Sequence, residues 1–245
     1  MSADEVARAV RAQLGIGRVL PLGGPADGAW ITEGAARAAL LRAPGAPPGV
    51  RLGTLRLSLA APDDAPAPAV PAPPSALPPG PLRLTADFAA PPGRPLPALA
   101  ARLRTALLAA AEDGLGLRVS AVDLRVGDLV DETAGPAPAD VVEERGRETG
   151  AGTAPGRAGR PGTEGPDDLA ARVLAVPGVA RLAPAPAGRS GPLTRTGDGR
   201  HVLVQLVTAG GHRPLDVARA VRRAVTGPPP APASAAVLVT AVRSR

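Results

Sequence analysis

Arg219, Arg222 and Arg223, with Arg213 just ahead of them, are spaced to stand opposite a Val217, Val221 and Val225 stripe on a helix. Arginines gathered on one helix face bring fixed positive charge and forked donors, which suit phosphates, acidic headgroups or an acidic protein tail. These four are the candidate binding residues, for an acidic partner or an anion. Aromatic platforms for single strands and a recognition-helix motif do not accompany them, so nucleic acid is the alternative and not the first choice. The two histidines are His201, at the start of an alternating run, and His212, just before that helix. Neither sits in a Ser-Asp pattern readable from sequence, and two separated imidazoles do not make a metal site. Both are read as structural or solvent-facing, and no catalytic residue, metal ligand or cofactor is assigned.

In "TAGGHRPLDVARAV", Gly210 and Gly211 lie between a strand-like and a helix-like run, where a first helical turn can take an anion. Asp216 falls in that turn and would repel phosphate, so a tight connection is preferred. "PLGGPADGAW" and "GAGTAPGRAG" lack the GxGxxG spacing between strand and helix that dinucleotides need. The acid pairs Asp63-Asp64, Glu112-Asp113, Asp131-Glu132, Glu143-Glu144 and Asp167-Asp168 fall in loops, helix ends or a linker. General acid–base work needs carboxylates in a shaped, partly desolvated cleft, so solvated charge is the reading for all of them. All 28 basic residues are arginine, which excludes a phosphate-loop lysine, a Schiff base or a Ser-Lys dyad. The absence of cysteine excludes disulfides, thiolate zinc and cysteine nucleophiles.

The elements that must hold these residues are built from small side chains. Of 245 residues, 44% are hydrophobic, yet there is one Trp, one Phe and no Tyr, which leaves Ala, Val and Leu to do the burying. At roughly 25 cal/mol per Å² of apolar area, such side chains contribute little each, so small modules with well-paired strands are expected. The amino terminus "MSADEVARAVRAQLG" carries both signs and lacks an apolar signal region. The run Ala65 to Leu82 is 18 residues without charge but holds eight prolines, cannot keep helical hydrogen bonds and is a poor membrane span. A cytoplasmic chain is expected, reaching a membrane only through a partner.

Residues 131–168 read as a disordered Pro/Gly-rich linker with nine acids against four arginines, a net −5. Residues 1–130 carry +2 and residues 169–245 carry +9, so a basic carboxy-terminal module adjoins an acidic tether. Residues 1–29 read as an amino-terminal helix and lead-in, with Val6, Val10 and Leu14 packing on the first module or a partner. The first module, 30–130, has a helix over Thr32 to Ala43 and strands through Leu55, Leu57 and Leu59 and through Leu82, Leu84, Ala86 and Phe88. A helix with Leu99, Leu103 and Leu107 on one stripe follows, ended by Gly114 or Gly116, then a strand through Val122, Leu124 and Val126. Trp30 is expected to anchor this module's core. The second module, 169–245, repeats the order in "DDLAARVLA", "HVLVQLV", "GHRPLDVARAVRRAV" and "AAVLVTAV". The expected fold is α+β: two tandem α-β-β-α-β modules, each a three-stranded sheet with helices on one face.

Pro48-Gly49-Val50, the block from Leu82 to Leu107 and "GLRVSAVDLRV" over 116–126, echoed by Pro177-Gly178-Val179, the block from Val202 to Val225 and "AAVLVTAV", carry a resemblance. The chain resembles the alkaline-shock, or general-stress envelope, family of small bacterial proteins over most of 30–130 and 167–243. The resemblance implies a non-enzymatic, cytoplasmic, envelope-associated protein that works through a protein partner anchored in the membrane and that self-associates.

Overall fold

The alternating leucines of the first half form the strands their period predicts. Strand β3 (Arg51–Leu59) buries Leu55 and Leu57, and β4 (Leu82–Ala90) buries Leu82, Leu84, Ala86 and Phe88 while turning Arg83, Thr85 and Asp87 outward. Together with β5 (Val119–Leu129) they make a sheet of order β3-β4-β5, in which β3/β4 is antiparallel and β4/β5 parallel. The computed structural model of the chain describes residues 17–129, 166–183, 191–196, 200–227 and 231–244. The Val6, Val10 and Leu14 stripe and nearly all of the 131–168 linker lie outside the described residues.

Helix α1 (Glu33–Leu41) starts where Thr32 Oγ1 accepts the Ala35 N–H at 3.3 Å, satisfying one of the donors a helix start leaves open. Helix α2 (Leu96–Ala109) crosses from β4 to β5 and buries Leu99, Leu103 and Leu107. It runs directly into a π-helical turn, Ala110–Leu115, which ends at Gly116 with φ +91°. Of the two glycines expected to stop this helix, Gly116 does so, because only a residue without Cβ enters the left-handed region cheaply there.

The second half runs α3 (Pro166–Leu174), β6 (Val179–Leu182), β7 (Leu193–Thr196), β8 (His201–Thr208), α4 (Pro214–Val225) and β9 (Ser234–Val242). Strands β8 and β9 are parallel with α4 as the crossover, and β6 and β7 both pair with the other edge of β8, antiparallel. Here the sheet departs from expectation. The hairpin β1 (Val19–Leu22) and β2 (Ala29–Thr32) joins it, β2 lying parallel to β9, and β7 adds a further strand where the expected α-β-β-α-β order has none. The expectation of two three-stranded sheets therefore holds for one; the other has six strands, ordered β1-β2-β9-β8-β6 with β7 beside β8. The boundary placed at residue 30 falls inside β2. The physical reason is that "VLPL" and "AWIT" are buried at every position. Such two-sided strands need neighbours on both faces, and β9 offers an open edge.

Trp30 is accordingly not the anchor of the first half. It packs with Val19, Val70, Ala236 and Leu238 on the back of the six-stranded sheet, its Nε1 donating to the Leu77 carbonyl at 3.4 Å. The proline-rich excursion between β3 and β4, which supplies Val70, Ala76 and the Leu77 carbonyl, covers that back face. The front face, through Leu20, Ile31, Val204, Leu206, Val237 and Val239, joins the inner face of the three-stranded sheet and all four α-helices in one hydrophobic core. Among the described residues, no helix is long and apolar enough to cross a membrane.

Candidate functional site

Helix α4 carries the candidate arginines and is the most strongly two-faced of the described helices. Leu215, Val217, Ala218, Val221 and Val225 are buried, which leaves the remaining face to Asp216, Arg219, Arg222 and Arg223. Pro214 opens the helix, where its missing N–H costs nothing. Three of the four arginines turn back into the fold. Arg219 donates from Nε and Nη2 to both carboxylate oxygens of Asp27, at 2.8 and 3.1 Å. Arg222 donates from Nε to the Ala235 carbonyl at 2.8 Å and from Nη1 to the carbonyls of Ala26 and Asp27. Arg213 donates to the Glu112 carbonyl from Nε and Nη2, at 3.0 and 2.7 Å. Arg223 alone of the four is exposed without such a contact among the described residues.

Asp27 sits in the β1–β2 turn, where its Oδ2 also accepts the Gly24 N–H at 2.7 Å. Burial would raise its pKa, but the Arg219 hydrogen bonds, the Gly24 N–H and the charges of Arg219 and Arg222 outweigh that and hold it below the usual carboxylate value. The Asp27 bond in turn makes Arg219 harder to deprotonate. The turn, the helix and β9 are thus bolted together through two guanidinium groups.

A cleft of about 430 Å³ opens between the π-helical turn and the start of α4. Its floor includes Gly116, which must be glycine: a Cβ there would lie 2.3 Å from the Cβ of Leu215. Arg118, Arg213 and Arg219 line it, and so do Glu112 and Asp113. With Arg219 neutralised by Asp27, the charges nearly balance, and the cleft is not a basic funnel for phosphate. The acid pair Glu112-Asp113, read from sequence as solvated charge at a helix end, does line a cleft, though both residues are exposed. A second recess of about 700 Å³, walled by Ala39, Ala109, Ala110, Leu115 and Val242, lies alongside, with Asp113, His212 and Arg213 at its lining.

The structure brings together one pair that sequence reading missed. His201 Nδ1 lies 2.8 Å from Ser234 Oγ, because β8 and β9 are parallel neighbours in a register that sets His201 opposite Ser234. Thirty-three residues separate them, and no local signal links them. Burial, and then the nearby charge of Arg222, lowers the His201 pKa below 6.5. Burial and the neighbouring guanidinium thus favour the neutral imidazole, which holds the Ser234 hydroxyl in a hydrogen bond at the end of the sheet. His212 is exposed and packs over Gly178, whose Cβ position would be filled by Val217 and His212. Among the described residues, no group of three or more His, Cys, Asp or Glu is placed to hold a metal ion. No family model, curated protein or solved structure matches this chain.

Proposed function

We propose that this chain is a non-enzymatic interaction protein built as two divergent copies of an α-β-β-α-β unit, related to the alkaline-shock envelope proteins it resembles. The fate of the α4 arginines carries the functional part of this reading. Arg213, Arg219 and Arg222 spend their donors on the Glu112, Asp27, Ala26 and Ala235 positions, so they brace the junction of the two halves. A phosphate-tracking surface needs those donors free, and the nucleic-acid alternative keeps only Arg223 of the original set.

Two features support the tandem plan. In each half a helix leads through a Pro-Gly-Val turn, with Gly49 at φ +80° and Gly178 at φ +90°, into a strand antiparallel to the one that precedes the crossover helix, β3 on β4 and β6 on β8, although the second half inserts β7 between them. Each half then closes with a helix crossover to a parallel strand, β4-α2-β5 and β8-α4-β9. In this reading the chain is cytoplasmic and reaches the envelope through a membrane-anchored protein. The test is co-purification of the full chain with a membrane fraction in the presence of nuclease, alongside retention on heparin across a salt series. The expected result is nuclease-resistant membrane association with weak heparin binding. A chain that leaves the membrane fraction on nuclease treatment, and whose heparin retention falls steeply with salt, overturns it in favour of nucleic acid.

A further inference from the structure

We infer that β5 is a self-complementary edge through which two copies of this chain pair antiparallel, fusing their three-stranded sheets into one continuous sheet. This pairing is independent of any membrane partner. Strand β5 is eleven residues long and lies at the sheet edge. Its register sets Val122, Leu124 and Val126 opposite Leu84, Ala86 and Phe88 of β4. Arg104 Nε donates to the Val122 carbonyl at 3.3 Å, so that carbonyl faces away from β4. The β4/β5 register is uninterrupted from Ala121 to Val126, with irregularities on either side; within it backbone groups two residues apart point the same way, so Leu124 offers its N–H and C=O outward and Val126, at the end of the regular stretch, its N–H.

The segment Val122-Asp123-Leu124-Arg125-Val126 is a palindrome in chemistry with its charge reversed about Leu124. When two such strands run antiparallel about a two-fold axis at Leu124, Val122 meets the second copy's Val126. Leu124 then meets its own equivalent, and Asp123 meets the second copy's Arg125. Leu124 exchanges both backbone hydrogen bonds with its own equivalent, the Val122 carbonyl meets the second copy's Val126 N–H, and each carboxylate lands directly opposite a guanidinium. Moving to either neighbouring register with matched hydrogen bonds sets Asp123 against Asp123, or Arg125 against Arg125, which repel. The charges that would guard an ordinary edge against pairing here admit one partner and one register.

The apolar side agrees. Val126 is 45% exposed, one of three large hydrophobic side chains so exposed among the described residues, and Leu124 is only partly buried. In the pair, the second copy's Val122 lies across Val126. Asp123 already holds Arg83 at 2.7 Å and has a second oxygen for the incoming Arg125, while Arg104 yields the Val122 carbonyl to a backbone N–H.

Light scattering on a sizing column, across a concentration series of the full chain, should show a dimer. Asp123→Arg places like charges opposite each other and should weaken dimerisation by about tenfold or more. The double exchange Asp123→Arg with Arg125→Asp restores the pairing and should restore the dimer. Because the chain has no cysteine, Leu124→Cys provides a second test: on oxidation it should cross-link as a dimer through that one position. Far-UV circular dichroism checks that each variant is folded, and the cross-link decides the matter if Asp123→Arg is not. A wild-type chain that stays monomeric, a dimer indifferent to Asp123→Arg, or a folded Leu124→Cys chain that fails to cross-link overturns the inference.

Discussion

Asp27 and Arg219 lie 192 residues apart in the chain and hold the β1–β2 turn to α4. The guanidinium is 41% exposed and the carboxylate 17%, so solvent screens the pair, and Asp27→Asn should destabilise the fold by about 1–2 kcal/mol, read as a fall in the urea midpoint. Because the folded pKa of Asp27 lies below its unfolded value of 3.8, its contribution is present above that value and fades as pH falls through the lower, folded one. The wild-type midpoint should accordingly drop further than that of Asp27→Asn in this acidic window. His201 follows the same direction of linkage for a different reason. Burial and Arg222 favour its neutral form, so stability is full above pH 6.5 and declines as pH falls through the folded value. His201→Gln, which keeps a hydrogen-bonding partner for Ser234, should flatten the melting temperature between about pH 8 and pH 5, whereas the wild type loses stability across it. The arginines were legible as a basic helix face, but their partners were not: a guanidinium's ligands are chosen by what the fold brings near it, and Asp27 in "GGPADG" reads locally as no more than a turn residue.

At the scale of elements, hydrophobic period was the dependable signal. Leu55 and Leu57, the Leu82 to Phe88 alternation and the Leu99, Leu103, Leu107 stripe are buried as their spacing requires. The π-helical turn after α2 has no such signature; it arises where the helix end must meet α4, and Gly116 is its hinge. Gly116→Ala should cost roughly 2–4 kcal/mol, since it combines a left-handed φ with a collision against Leu215. Gly114→Ala, two residues earlier, meets nothing within 4 Å and has no such φ, so its unfolding free energy should stay within about 0.5 kcal/mol of wild type or rise. Urea unfolding of the two variants side by side checks both; equal losses would mean that the approach of Leu215 is not what requires the glycine.

At the scale of the whole molecule, the two halves share one core. The front face of the six-stranded sheet and the inner face of the three-stranded sheet meet the same helices, and α1 of the first half packs on β9 of the second. Thr32 shows the coupling in one side chain: it caps α1 and donates to the Thr240 carbonyl on β9 at 3.2 Å. Unfolding should therefore be a single transition, with the fluorescence of the sole Trp coinciding with far-UV circular dichroism. Two resolved transitions would refute a shared core. Expressed alone, residues 1–130 should lack fixed tertiary structure by NMR, because β2 loses the β9 edge and Leu20 and Ile31 lose their cover.

The sequence by itself determined which segments alternate, which form amphipathic helices and where left-handed glycines end them, because these depend on neighbours within a few residues. It also excluded lysine- and cysteine-based chemistry outright. The tertiary structure decided where the first hairpin goes, what Trp30 packs against, how the α4 arginines spend their donors, and that Ser234 faces His201. Each of these depends on which strand edges are left open and which surfaces meet, and strand pairing across some 200 residues leaves no periodic trace in the chain. The six-stranded sheet follows from that: the second half supplies a bare edge on β9, and the most apolar short strands in the first half complete it.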